Sequence, residues 1–120
     1  MKLTEHFSSE EMACKCNCGD CDVDTVALEM LESARVVAGI PFKITSAKRC
    51  KEHNAKVGGV SSSAHVDGYA FDISVYNNSA NRFRVVKALI FAGFTRIGIA
   101  KTFIHCDASP KLPKHVLWMY

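Results

Sequence analysis

At 120 residues the chain has the size of one domain, spanning 1–120, with no room for a second core. Hydrophobic residues make up 48% and charged residues 22%, ordinary globular usage that excludes wholesale disorder. The net charge of +3 is small and evenly spread, so no nucleic-acid partner is expected, and no apolar run approaches the ~20 residues that cross a bilayer, so no membrane insertion is expected.

The opening MKLTEHFSSEEM reaches acidic and polar residues before any hydrophobic stretch can form. No signal peptide is expected, and the chain is expected to be made in the cytoplasm. Ser8 stands three residues before Glu11, the spacing of a capping box, and predicts a short helix there. The crowded loop CKCNCGDC follows, with Cys14, Cys16, Cys18 and Cys21. From Asp22 the pattern turns helical, with Val23, Val26, Ala27, Met30, Leu31, Ala34 and Val37 at three- and four-residue steps. Gly39 and Pro41 stop that helix.

Phe42 to Thr45 predicts a short strand, and Cys50 to Val57 a brief helical piece ended by Gly58-Gly59. Ser61 to Ser63 form a polar loop before a second strand, Gly68 to Val75. Ser79 is positioned to cap another helix, with Phe83, Val86, Leu89 and Ile90 inward and Gly93 at its end. Arg96 to Ala100 and Thr102 to Asp107 predict paired strands around a tight turn at Lys101. The tail, Val116 to Tyr120, is an edge strand or a packed end. There is no repeat or linker, and the fold class expected is α+β, a small, mostly antiparallel sheet with flanking helices.

Three residues suit a divalent metal: His65, Asp72 and His105. In an extended segment Ala70, Asp72 and Ser74 share one face, while Tyr69, Phe71 and Ile73 share the other and enter the core. Gly68 and Ala70 keep bulk away from the carboxylate, and His65 lies in the loop just before it. On the late strand His105 and Asp107 point one way, Ile104 and Cys106 the other. Two imidazoles and a carboxylate form a known catalytic zinc set with a fourth position open. Spacing alone is a loose signal for such a site.

The stretch ITSAKRCKEHNAKVGGVSSSAHVDGYAFDI resembles the D-alanyl-D-alanine carboxypeptidase family of zinc peptidases. That family's pattern is Ser-x-x-Arg, then Ser-x-His-x-x-Gly-x-Ala-x-Asp, then a downstream His. The chain supplies Ser46 to Arg49, then Ser63, His65, Gly68, Ala70 and Asp72, then His105. GFTRIGIAKTFIHCD is similar to the short phage-type members, and with HFSSEEMACKC the similarity runs over most of 7–107.

The resemblance implies a single zinc-peptidase domain of the hedgehog and D-Ala-D-Ala peptidase type, with one catalytic Zn2+ on His65, Asp72 and His105. It implies Arg49 as a catalytic and substrate-binding group, holding an anionic part of the substrate or stabilising the oxyanion, and Ser63 as a substrate contact. Taken alone, the first is a surface ion pair and the second a loop hydroxyl. The implied activity is hydrolysis of a peptide bond in the stem peptide of bacterial peptidoglycan. That means a D,D-carboxypeptidase or an L-Ala-D-Glu-type endopeptidase, acting as a monomer on the cell wall in phage or prophage lysis. The alternative is a non-catalytic zinc-binding structural module, such as a phage tail component.

One departure concerns the general base. Many members carry Glu-x-x-His at the last ligand, but Thr102 stands three before His105. Asp107 is the nearest replacement, as base or as a partner that fixes the imidazole tautomer, with the base role favoured. His53 is a weaker substitute. For the cysteines, burial or disulfide bonding among Cys14, Cys16, Cys18, Cys21 and Cys50 is the expectation, and a thiolate metal clip the alternative. Cys106 should face the core.

Overall fold

The computed structural model describes residues 1–120, and its elements follow the predicted order closely. Helices α1 (Ser9–Met12), α2 (Thr25–Ala38), α3 (Lys51–Lys56) and α4 (Ser79–Phe91) and strands β1 (Lys43–Ser46), β2 (Ala70–Ser74), β3 (Arg96–Ile99), β4 (Phe103–Asp107) and β5 (Val116–Met119) follow one another in the order α1-α2-β1-α3-β2-α4-β3-β4-β5. The strands form one sheet in the order β1-β2-β4-β3-β5. Every pairing is antiparallel except β3 with β5, which is parallel at the edge. The expected α+β class with a mostly antiparallel sheet is what the chain adopts.

One face of that sheet closes the core. Phe71, Ile73, Ile97, Ile104 and Cys106 pack with Ala27, Leu31 and Ala34 of α2 and Val85, Ala88 and Leu89 of α4. Each large apolar side chain buried this way is worth roughly 1.5–3 kcal/mol. Period-two alternation therefore drives the sheet's other face outward, and that face carries the polar chemistry.

The signals expected at the start of α1 and the end of α2 hold. Ser8 and Glu11 form the full capping box of α1, and Gly39 ends α2 with φ of 67°. Asp24 caps α2 by accepting from the N–H of Ala27 at 2.9 Å.

Helix faces are where the structure departs from expectation. In α4 the buried residues are Val85, Ala88 and Leu89, whereas Phe83 and Ile90 are exposed. Both stripes have helical spacing, so periodicity does not choose between them. Val85, Ala88 and Leu89 are turned inward where α4 packs on α2, in the same core cluster as Ala27, Leu31 and Ala34. The same contact turns Leu28 of α2 inward and leaves Val26 and Val37 exposed. The α4 cap is Asn78, one residue before Ser79, with its Oδ1 accepting from the N–H of Asn81 at 3.0 Å. The first strand also starts one residue later than predicted, leaving Phe42 as a buried residue before it.

All six cysteines are free thiols, so the disulfide half of the expectation is not met, while the burial half holds for Cys14 of the five. Cys14 and Cys106 are buried, and Cys106 faces the core as its strand alternation requires.

Candidate metal centre and substrate cleft

Sheet register assembles the site. One row crosses the sheet through paired positions: Ser46 opposite Asp72, Asp72 opposite His105, His105 opposite Gly98, and Gly98 opposite Trp118. Directly paired residues in a ladder project to the same face, so this row places a carboxylate and an imidazole side by side. The neighbouring row pairs Ala70 with Asp107 and Asp107 with Arg96.

Glycine is required in both segments that frame this row. A Cβ on Gly98 would lie 2.5 Å from Trp118 Nε1, so glycine leaves the space that the indole occupies. Gly68 has φ of +82°, and a Cβ there would lie 2.5 Å from the Asp22 carbonyl oxygen. Its own carbonyl accepts from the N–H of Asp24 at 2.8 Å, docking the His65 loop onto the start of α2.

Within that loop Ser63 Oγ accepts from the N–H of His65 at 3.2 Å. His65 Nδ1 lies 2.7 Å from the Ala47 carbonyl oxygen, which can only accept, so this nitrogen carries the proton. His65 Nε2 is left as a lone pair 3.3 Å from Asp72 Oδ1. His105 repeats the logic in reverse. Its Nε2 donates to Asp107 Oδ2 at 2.7 Å, leaving Nδ1 3.0 Å from the same Asp72 oxygen.

Two nitrogen lone pairs thus converge on a carboxylate oxygen, an arrangement that asks for a cation between them. The ligand atoms of His65, Asp72 and His105 all lie within 4.8 Å of one another, and all three residues are buried. Nitrogen and oxygen ligands about 2.05 Å from a tetrahedral zinc are about 3.3 Å apart. The 3.0 and 3.3 Å separations fit that edge, and the N2O donor set fits zinc.

The electrostatics agree. Burial works to raise the Asp72 carboxyl, yet His105 and His65 hold it well below the usual carboxylate range. Burial works to lower His105, but Asp107 and Asp72 together raise it. Asp107 resists its own burial through His105, the N–H of Ser109 and Arg96, and stays below its ordinary value.

The centre opens into a cleft of about 430 Å³. Arg49 lies on its wall, with Nη2 3.6 Å from Asp72 Oδ2, Nε donating to Ser46 Oγ at 3.1 Å and Nη1 to Asn54 Oδ1 at 3.2 Å. Ser63 also lines the cleft. The structure therefore brings Arg49, Ser63, His65, Asp72, His105 and Asp107 together around one opening. His53 is outside it, and Thr102 is absent from its lining.

Sequence reasoning missed four contributors. Asn54 is buried and orients Arg49, with Nδ2 donating to the Val60 carbonyl at 2.8 Å. Arg96 Nε donates to Asp107 Oδ1 at 2.8 Å, and the register that pairs them comes from a two-residue turn at Lys101-Thr102, whereas a turn centred on Lys101 pairs Arg96 with Cys106. Trp118 and Tyr120 line the cleft from the tail, the indole 5.4 Å from the His105 ring between centroids. No spacing signal connects that tail to the centre.

No curated protein matches the chain. The Peptidase M15 family model, however, matches residues 5–107, a span that holds both histidines, Asp72, Asp107 and both arginines of the cleft. The chain belongs to the Peptidase M15 family of zinc peptidases.

Proposed function

We propose that the chain hydrolyses a peptide bond in the stem peptide of bacterial peptidoglycan, as a D,D-carboxypeptidase or an L-Ala-D-Glu-type endopeptidase. The observation that carries this reading is the open, buried His65–Asp72–His105 centre with the Arg49 guanidinium beside it. His65 Nε2, Asp72 and His105 Nδ1 would hold the ion. When bound, zinc supplies a Lewis acid and a water whose pKa lies near 7, which reduces the demand for a separate carboxylate base.

The rest is done by the chain. Arg49 is held by Ser46 and Asn54, so its charge is pre-aimed at a substrate carboxylate or at the oxyanion that develops on the carbonyl. Tyr120 keeps its phenolic proton, because burial raises its pKa, and offers the cleft an O–H donor. Asp72 and Asp107 are the carboxylates lining the cleft. Both Asp107 oxygens are engaged, Oδ2 by His105 and Oδ1 by Arg96 and the N–H of Ser109. This supports Asp107 as a positioning residue that fixes the His105 tautomer, in place of the base role favoured from sequence.

The family's peptide chemistry and the Arg49 guanidinium on the cleft wall support this substrate. We place the enzyme on the cell wall, as a monomer made in the cytoplasm for phage or prophage lysis. No helix is long and apolar enough to cross a membrane.

The test is mass spectrometry of fragments released from purified peptidoglycan, alongside a stem peptide with a free or an amidated C-terminus. Released fragments whose masses report a cut stem-peptide bond are expected. Cleavage of the free form alone makes Arg49 a carboxylate clamp, and cleavage of both makes the enzyme an endopeptidase. A zinc-loaded protein that releases nothing overturns the enzyme reading in favour of a structural zinc module.

A further inference from the structure

Four sulfurs meet outside the lining of the substrate cleft. Cys14, Cys16 and Cys18 come from the loop after α1, and Cys50 is the cap residue of α3, more than thirty residues away in sequence. None of the four lines the cleft. Their Sγ atoms all lie within 4.8 Å of one another. Cys14 and Cys16 are 3.4 Å apart, Cys16 and Cys50 3.6 Å, and Cys14 and Cys50 3.8 Å. Sulfurs about 2.3 Å from a tetrahedral zinc are separated by about 3.8 Å. The measured edges are close to that value.

The backbone is arranged for it. The loop reverses through Asn17 and Gly19, at φ of 66° and 83°, and closes with the N–H of Cys14 donating to the Asp20 carbonyl at 2.7 Å. Main-chain N–H groups aim at the sulfurs: that of Cys50 at Cys14 Sγ, 3.4 Å, and that of His53 at Cys50 Sγ, 3.4 Å. Such donors stabilise thiolates. Cys21 stands outside the cluster, partly buried against the core.

We propose that Cys14, Cys16, Cys18 and Cys50 bind a second metal ion, a soft divalent cation of the zinc class, as four thiolates in a closed, structural site. Binding releases four thiol protons to solvent while the ion sheds its waters, with no change of oxidation state. No ligand position is left for substrate, so the site is architectural.

The ion's anchor is Cys50, and the residue before it is Arg49. The same short segment supplies the Ala47 carbonyl that sets the His65 tautomer and the N–H of Lys48 that donates to the Met12 carbonyl at 3.2 Å. Segment 47–50 therefore lies between the two centres, and the sulfur site holds the wall of the other in place.

The experiment uses the full chain, purified reduced and without chelator. Elemental analysis is expected to find close to two zinc ions per chain. Cys14→Ser/Cys50→Ser and His65→Ala are each expected to lose one of them. Cobalt substitution should give an intense thiolate-to-metal charge-transfer band that survives in His65→Ala and vanishes in the cysteine variant. That contrast separates this site from the histidine centre. Should the cysteine variant fail to fold, alkylation of the wild-type chain decides: zinc should protect Cys14, Cys16, Cys18 and Cys50 from iodoacetamide but leave Cys21 unprotected. Equal alkylation with and without zinc, a cobalt spectrum without a sulfur band, or an intact mass showing disulfide formation each overturns the proposal.

Discussion

The histidine centre and the cysteine cluster are both assembled from remote segments, yet they are held by different means. Asp72 and His105 face each other across a hydrogen-bonded ladder, and all three ligands of that centre are buried. Three of the four cysteines ride on a loop built from turns, and Cys16 and Cys18 are exposed. A ladder position is fixed by backbone pairing whether or not a ligand is present, so the histidine centre is pre-organised. A turn-rich loop has few such bonds and takes its shape from what its side chains grip. The two regions should respond differently when damaged.

The largest effect is expected from His105→Ala, which should bring peptide hydrolysis to background. Far-ultraviolet circular dichroism should be unchanged, because β4 keeps its pairing on both sides. Loss of the sheet signal along with activity would mean that the ladder is not what pre-organises the centre.

Asp107→Asn sharpens the same point at smaller scale. Removing the charge beside His105 and Arg96 should weaken zinc affinity about 10- to 100-fold, measured by competition with a chelating dye. Activity should then recover when zinc is raised. Unchanged affinity with activity lost at saturating zinc would instead return Asp107 to the role of general base.

Gly98→Ala probes the edge of the ladder and should act most mildly. The new methyl meets Trp118 and Tyr120 side chains, which must move away from His105. A loss of about 1–3 kcal/mol in urea unfolding is expected, with a several-fold rise in KM and metal content intact. An unchanged KM would remove the β5 aromatics from the cleft's working surface.

Much of the fold was legible because its signals are local. The capping box at Ser8 and Glu11, the stop at Gly39 and the alternation around Asp72 depend on neighbours within a few residues. The centre was legible for a different reason: resemblance supplied His65, Asp72 and His105 as a set, and alternation put Asp72 and His105 on the non-core faces of their strands. The α4 face was only partly legible: of Phe83, Val86, Leu89 and Ile90, Leu89 is buried and Val86 packs against the core, but Val85 and Ala88 take the places expected of Phe83 and Ile90 at equally helical spacing. Asn54 gave no signal either. Its position depends on Gly59, where a Cβ would lie 2.1 Å from the Asn54 Oδ1 atom, a contact between a helix and the loop after it.

By itself the amino-acid order determined which segments become helix or strand and which residue types are on hand for metal chemistry, because propensity, capping and alternation act over short range. Tertiary structure alone decided the partners. It set Arg96 against Asp107, brought Trp118 and Tyr120 over the cleft through a parallel edge strand, and closed the cysteine loop on Cys50. Those outcomes depend on register and packing between distant segments, and a linear pattern does not encode distance through space.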